Sequence, residues 1–542
     1  MIPLFVNYAT PSVFESTRER AMLGLSADSE RPVKFHARIV RNVLAVRLSL
    51  QALGELVWRS DEWLSADQRY FIFDPIVTVH PDRVFFEAFS ADQSAYGLVI
   101  FDQNAFEPIG DVQYGTTNVD FTAWLWASLA EMRSSRETFF RIGAEGLEVA
   151  TTGAGGRFEQ KVDVPDDWVR GFLQLQGAMA LPGTRVSARP IDLLAAIRFL
   201  RFTKAKVSPR AIRYEFDPGE DAKLILEPWE YEIPLRKAEH SYSEKRVIRT
   251  WGRRRLSLLE PMLPFAERVD IYLKGRALPS FYAVKLPGIT FVLGLSGWTS
   301  QRWTSTASFD LLVAPEKTSA ARDKVLAVLK ERYSVNASDV ASALSVDLAV
   351  ATQVLTALCA EGRCIYDVES RAYRSRELFA KPIDLGKAYP PDKRREDAER
   401  FVAQDKVQIV SAAPRETRKR KRFKTPEGPA YREVILRDWV VQGRVAEQTD
   451  VELVLNDEDR LIFGRCGCPF FRENILGQGP CEHLLAMLLV AQPQRKDAAS
   501  SIRMEKEAFE TASPDEAPPG ERRREKNQEE DLDEEEESDE DS

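Results

Sequence analysis

Three cysteines and one histidine stand close enough in the chain to do chemistry together: Cys466, Cys468, Cys481 and His483. They spell C-x-C, a spacer over residues 469–480, and C-x-H. The chain of 542 residues holds only five Cys and four His, so four of them within eighteen positions is a pattern that chance does not readily produce. Three thiolates and one imidazole suit a tetrahedral Zn²⁺, with Zn–S near ~2.3 Å and Zn–N near ~2.0 Å. Four protein ligands fill such a shell and leave no position for water or substrate, so the chemistry expected is that of one structural ion. A disulfide with two free thiols is the competing arrangement. Cysteines one residue apart pair poorly, and the first fourteen residues lack the basic start and apolar run of a signal peptide.

Positioning these ligands needs particular elements. Gly464 and Gly467 let the backbone turn so that two thiolates face one ion. Pro469 stops a strand from continuing, and Pro480 suits the start of a helix. Leu484, Leu485, Leu488 and Leu489 give that helix an apolar face. Cys481 and His483 then fall at its first turn, where the positive end of the helix dipole favours thiolate. Residues 451–455 and 460–464 read as two strands joined by 456–459. The expected order is hairpin, C-x-C, loop, C-x-H helix.

That order and those residues resemble the SWIM zinc finger, over roughly residues 431–491. Modules of this kind bind DNA or proteins and are not catalytic. The segments GTTNVDF (115–121) and YATPSVF (8–14), taken with the finger, resemble a bacterial family of SWIM zinc-finger proteins in which the finger ends a long N-terminal region. The resemblance covers most of residues 1–490, and only the four zinc ligands transfer as functional residues. It implies a setting beside a MoxR-type AAA+ ATPase and a von Willebrand factor A protein. The chain has neither an ATPase motif nor a DxSxS metal site, so the implied role is that of adaptor or recognition partner.

Charge is unevenly distributed. Residues 529–542 hold eleven acids and no base, so without them the net charge of −9 becomes +2. Such a run repels itself and is expected to be disordered, from about residue 496 onward. It reads as a solubilising tail, or as a competitor for a basic surface. Upstream, Arg415, Arg418, Lys419, Arg420, Lys421, Arg422 and Lys424 crowd ten positions, with Pro414 and Pro426 on either side. The prolines make this run a linker, able to meet phosphates without sequence preference. A second basic patch (Lys245, Arg246, Arg249, Arg253, Arg254 and Arg255 around Trp251) reads as a surface strand and turn.

Between residues 320 and 378 the pattern is three helices and a hairpin. Val325, Leu326, Leu329 and Tyr333 mark the first helix. Asn336 or Ser338 caps a second that ends near Leu344. Ser345 caps a third, with Leu348, Ala351, Val354, Leu355 and Leu358 as its stripe and Gly362 as its stop. Strands at 364–368 and 372–375 follow. The arrangement resembles a winged-helix domain. Its third helix presents Asp347, Thr352, Gln353 and Thr356 but no cation, so protein contact is favoured over DNA. The hairpin carries Arg371, Arg374 and Arg376. Cys359 and Cys364 read as core thiols.

The first 315 residues read as α+β, with mostly antiparallel sheet. Strands are expected at 33–37, 76–79, 84–89, 96–101, 138–142, 147–151 and 158–164, and helices at 43–59, 121–132, 166–179 and 190–202. A strand-rich stretch runs from 211 to 312. Gly153, Gly155 and Gly156 lack a following Lys-Ser/Thr and read as a hairpin turn. His36, His80 and His240 are isolated, and no catalytic signature is visible.

The reading is therefore an α+β multidomain protein. Its parts are an N-terminal region (1–315), a winged-helix-like domain (318–378), a basic linker (379–430), a SWIM-type finger (431–495) and a disordered acidic tail (496–542). The function expected is that of a non-enzymatic, cytoplasmic adaptor with one structural Zn²⁺, acting on a protein partner of the ATPase and von Willebrand A kind. The alternative is a DNA-binding protein using finger, winged helix and linker, with non-specific contact to nucleic acid. No stretch approaches the ~20 apolar residues of a membrane span. Oligomeric state is not legible.

Overall fold

The computed structural model describes residues 13–499, except 18, 28–31, 59–74, 91–93, 122, 144–170, 172–174, 182, 204–210, 239, 241, 275–278, 297–318, 379–392, 426–427, 456–460 and 475–479. Two units are distinguished: Met1–Leu200 with Ala211–Pro391, and Arg201–Arg210 with Asp392–Ser542.

The first unit is built on an eight-stranded sheet. Its strand order is Thr184–Ala188, Arg268–Leu273, Ser280–Leu286, Ile289–Leu295, Ala95–Asp102, Arg83–Phe89, Ile76–Val79 and Gly115–Asn118. Two antiparallel meanders meet through their last strands, Leu98 facing Val292 in the ladder. These strands are buried at nearly every position, which requires cover on both faces. One cover is the helix Val43–Trp58. On the other side Phe85, Tyr96, Leu98 and Phe281 pack with Leu175 and Met179, and with Ile365, Val368 and Leu378 from the 319–378 module. A five-stranded sheet includes one parallel pair, Arg20–Ser26 with Glu137–Gly143. A four-stranded antiparallel sheet holds Tyr231–Pro234, Lys223–Leu226, Ile212–Phe216 and Arg246–Thr250. The chain is thus a mixed helix-and-strand protein of several sheets, and every other strand pair among the described residues of this unit is antiparallel.

Residues 319–378 run helix Ser319–Arg332, strand Ser334–Val335, helices Ala337–Leu344 and Leu348–Ala360, then strands Cys364–Asp367 and Ala372–Ser375. The strands form a small sheet ordered 334–335, 372–375, 364–367. The third helix is capped by Asp347, whose carboxylate accepts from the Ala349 N–H at 2.7 Å, and not by Ser345. Ser345 instead ends the helix before it, in the left-handed conformation at φ 52°. Asn336 stands at the N-cap of the second helix.

Of the segment read as a linker, residues 379–392 and 426–427 lie outside the described residues, and the rest is structured. It contains the helix Lys393–Ala403 and the strand Val407–Thr425, which pairs along its length with Gly428–Val445. Pro414 does not interrupt the strand. It stands in an edge strand, where a missing N–H removes no interior ladder bond. The ladder continues through Gln448–Leu455 to Leu461–Arg465. Gly443 is needed there: a Cβ at that position would lie 2.3 Å from the Gln408 carbonyl oxygen and 3.1 Å from Met487. Helices Pro469–Asn474 and Glu482–Ala499 complete the unit.

The helix expected at 121–132 is shorter, Ala123–Ser128 followed by a 3₁₀ turn Leu129–Glu131. Of the helix expected at 166–179 only 171 and 175–179 are described, and these are helical. The strands expected at 147–151 and 158–164, the glycines at 153–156 and the tail from residue 500 lie outside the described residues. Among the described residues no single helix is long and apolar enough to cross a membrane.

Candidate metal centre

The four sequence-chosen ligands converge. One ligand atom from each of Cys466, Cys468, Cys481 and His483 lies within 4.8 Å of every other. A tetrahedral ion with bonds of ~2.3 Å places its sulfurs about 3.8 Å apart, so the spacing accommodates one metal ion. Cys466 and Cys468 sit just past the strand Leu461–Arg465, and the Phe471 N–H donates to Cys468 Sγ at 3.4 Å. Cys481 precedes the helix Glu482–Ala499 and its carbonyl accepts from the Leu485 N–H at 2.9 Å, so it closes the first helical turn. His483 follows on that turn.

Burial separates this cluster from an ordinary thiol group. Exposure is 5% at Cys466, 2% at Cys468, 0% at Cys481 and 6% at His483, which leaves no broad opening for solvent. The Cys466 thiol and burial push Cys481 up to about 12, while its hydrogen bond with Cys481 pulls Cys466 down. Burial raises Cys468. Without a cation the thiols share protons with one another; a divalent ion would let all three ionise. His483 Nδ1 is buried without a hydrogen bond. Glu482 Oε1 stands 3.3 Å away, an ion-pair distance without hydrogen-bond alignment. A buried imidazole with one unpartnered nitrogen, grouped with three buried thiols, is a donor set suited to a metal ion. The residues therefore fit a metal ion, held by Cys466, Cys468, Cys481 and His483.

A residue that sequence reasoning missed completes the pocket. Phe401, on the helix Lys393–Ala403, stacks on the His483 ring at 5.4 Å between centroids. From the same helix Arg394 donates to the Pro480 carbonyl at 3.4 Å and lies over Phe470. The heptad-like spacing of Ala398 and Phe401 was the available signal, masked by the surrounding charges.

The cationic groups divide. Arg374 is bound to Asp367 at 2.9 Å and to Asp82 at 2.8 Å, and it is 3% exposed. Arg376 is buried and donates to Glu87 at 3.4 Å, where the Tyr96 hydroxyl also donates at 2.7 Å. Two of the three hairpin cations are thus not available to a phosphate, because Arg374 and Arg376 are sealed inside the first unit; Arg371 alone of the three is exposed. Lys285 and Arg83 approach Glu369 from the sheet, Arg83 also reaching Asp367 at 2.8 Å. The patch around Trp251 is a strand and turn only in part: Arg246 and Arg249 lie on the strand Arg246–Thr250, whereas Arg253, Arg254 and Arg255 lie on a 3₁₀ helix, Arg253–Leu259, in which Arg255 is buried. Lys245 meets Glu215 at 3.1 Å and Arg249 meets Glu227 at 2.9 Å. Cys359 and Cys364 are fully buried core thiols, their sulfurs 3.2 Å apart. His80 is buried and its Nε2 meets the Ser375 carbonyl at 2.6 Å, so it serves packing. His36 lies beside Phe139 and His240 beside Tyr242.

No protein-family model matches the chain, and no curated protein matches it. Among solved structures, the proliferating cellular nuclear antigen of Entamoeba histolytica aligns with 49% of this chain and 98% of its own, at 10% identity and a TM-score of 0.31. The PCNA of Thermococcus kodakaraensis aligns with 49% and 100%, at 12% identity and a TM-score of 0.31. Likeness at that score carries no argument about this chain.

Proposed function

We propose that the chain is a zinc-dependent, non-enzymatic adaptor whose SWIM-type finger is a structural element and whose winged-helix-like module meets a protein partner. Zinc is favoured as the ion because three thiolates and an imidazole in a closed tetrahedral shell suit it best. The observation that carries the protein-partner reading is the free surface of the helix Leu348–Ala360. It exposes Leu348 at 54% and Val350 at 38%, next to Asp347 and Thr352, with no cation on that helix. Phosphate contact needs cations, and two of the three hairpin arginines are occupied by internal carboxylates. An apolar, weakly acidic helix face suits a protein surface.

The resemblance to proteins encoded beside a MoxR-type AAA+ ATPase and a von Willebrand factor A protein names the first partners to try. Affinity purification of the full chain from its native host, with nuclease treatment, is expected to retain one of them. Leu348→Asp with Val350→Asp is expected to release it. Retention that disappears with nuclease and is unchanged in Leu348→Asp with Val350→Asp would contradict the adaptor reading.

A further inference from the structure

The hairpin of Val407–Thr425 and Gly428–Val445 outruns the sheet that anchors it. Of the hairpin, the next strand, Gln448–Leu455, meets only residues 439–445. From Arg415 opposite Asp438 to Thr425 opposite Gly428, the two strands pair with each other alone among the described residues. The ten steps from 415 to 425, at ~3.4 Å each, make a ribbon about 34 Å long. A bare two-stranded ribbon is marginal in water. This one is also strongly cationic: positions 415–438 carry nine cations against Glu416, Glu427, Glu433 and Asp438, with Arg415 paired to Asp438 and Arg418 to Glu416 at the base. Successive positions on a strand alternate between faces. Positions 418, 420, 422 and 424 place Arg, Arg, Arg and Lys on one face; positions 419 and 421, with 432 across from 421, place Lys, Lys and Arg on the other.

We propose that this ribbon is an arm that lies in the major groove of duplex DNA and holds the phosphates on both walls. The inference goes beyond the adaptor reading and does not depend on it. Three features point the same way. A groove about 12 Å wide admits a two-stranded ribbon. An element between two phosphate walls needs cations on both of its faces, whereas a surface patch needs them on one. The arm's length is about one turn of B-DNA, ~34–36 Å. A-form RNA offers no such fit, since its major groove is too narrow for side chains to read. The arm's cations are Lys and Arg, which neutralise phosphates whatever the sequence, and the contact expected is with the backbone on both walls. The acidic residues 529–542 compete for the same cations.

The test is a fluorescence-anisotropy titration of three unrelated 25-base-pair duplexes, and of a single strand, at 50 and 200 mM salt. The proteins are the full chain, the chain ending at residue 528, and that shorter chain with Arg418→Gln, Arg420→Gln, Arg422→Gln and Lys424→Gln. Arg418→Lys, Arg420→Lys and Arg422→Lys together keep the charge and control for folding, alongside metal content. The chain ending at 528 is expected to bind all duplexes alike, more tightly than the full chain, and to lose roughly 10³-fold in affinity between the two salts, as for about six phosphate contacts. The glutamine variant is expected to flatten the log–log salt slope by about 3–4, at ~0.9 per lost contact, while the lysine variant keeps it. The proposal is overturned by an unchanged slope in the glutamine variant, by preference for the single strand, or by no duplex binding at 50 mM salt in either chain length. A glutamine variant that loses its metal shows a folding failure; the comparison then rests on Lys419→Gln with Lys421→Gln, expected to flatten the slope by about 2.

Discussion

The ring of Phe401 lies on the imidazole of His483, centroids 5.4 Å apart and planes 22° apart. Phe401 stands eighty-two positions before His483 in the chain, on a helix that packs against the one carrying the ligand. The metal centre therefore extends well upstream of the C-x-C motif. Phe401→Ala removes an aromatic pair worth roughly 1 kcal/mol beyond its buried area. The expected result is weaker metal retention against a competing chelator, about five-fold or more, with the stoichiometry unchanged at saturating metal. Retention equal to wild type would show that the stacking is incidental.

The same helix sets the smallest piece that can fold. A fragment starting near residue 431 lacks the helix Lys393–Ala403 and the strand Val407–Thr425, both of which pack on the finger. The fragment 392–499 is expected to fold with metal and to lose protection in hydrogen exchange when chelated, whereas 431–499 is not expected to fold even with metal. Structural zinc in small fingers supplies ~10–16 kcal/mol of apparent binding energy, enough to make the fold metal-dependent. A cooperative 431–499 fragment would contradict this boundary.

Arg376 and Glu87 form a fully buried pair in the first unit. Arg376→Ala leaves Glu87 charged, or forces it to protonate, away from water. The expected cost is about 3–5 kcal/mol in denaturant unfolding. Arg376→Met with Glu87→Gln is expected to recover most of it, because no buried charge then remains. A single variant that costs under ~1 kcal/mol would mean that Arg376 reaches solvent in the folded chain.

His80 gives a pH dependence of known sign. Burial lowers its pKa to about 4, from 6.5 in the unfolded chain. Above pH 6.5 it is neutral in both states and adds no slope. Between pH 6.5 and 4 the unfolded chain binds the extra proton, so stability falls as pH falls, by up to roughly 3 kcal/mol in total. His80→Phe keeps the edge contacts with Phe85 and Tyr333 but cannot titrate. Its stability is expected to vary less across that window than the wild type's. Parallel profiles for the two proteins would contradict the buried neutral state.

The metal tetrad is legible in sequence because its residue types are rare here and their spacing is local. The helices Val43–Trp58 and Pro190–Phe202 are legible for a similar reason: their apolar period is strong and unbroken. The arm is not. Its strand carries Pro414 and a run of cations, both of which argue for a linker until the ladder shows that the proline is on an edge. The buried pairs Arg374–Asp82 and Arg376–Glu87 join positions almost three hundred residues apart, and no local pattern marks an arginine as internal. Asp347 displaces Ser345 as the cap because its carboxylate reaches the Ala349 N–H, while Ser345 is held by its left-handed backbone. Local chemistry reads well from sequence; long-range charge pairing does not.

The central claim is that Cys466, Cys468, Cys481 and His483 hold one zinc ion, and X-ray absorption with elemental analysis of the purified full chain tests it most directly. The account predicts one zinc per chain, three sulfur neighbours at ~2.3 Å and one nitrogen at ~2.0 Å, with zinc lost in Cys466→Ser. A chain free of zinc after growth in zinc-replete medium, or an unchanged zinc content in Cys466→Ser, would contradict it.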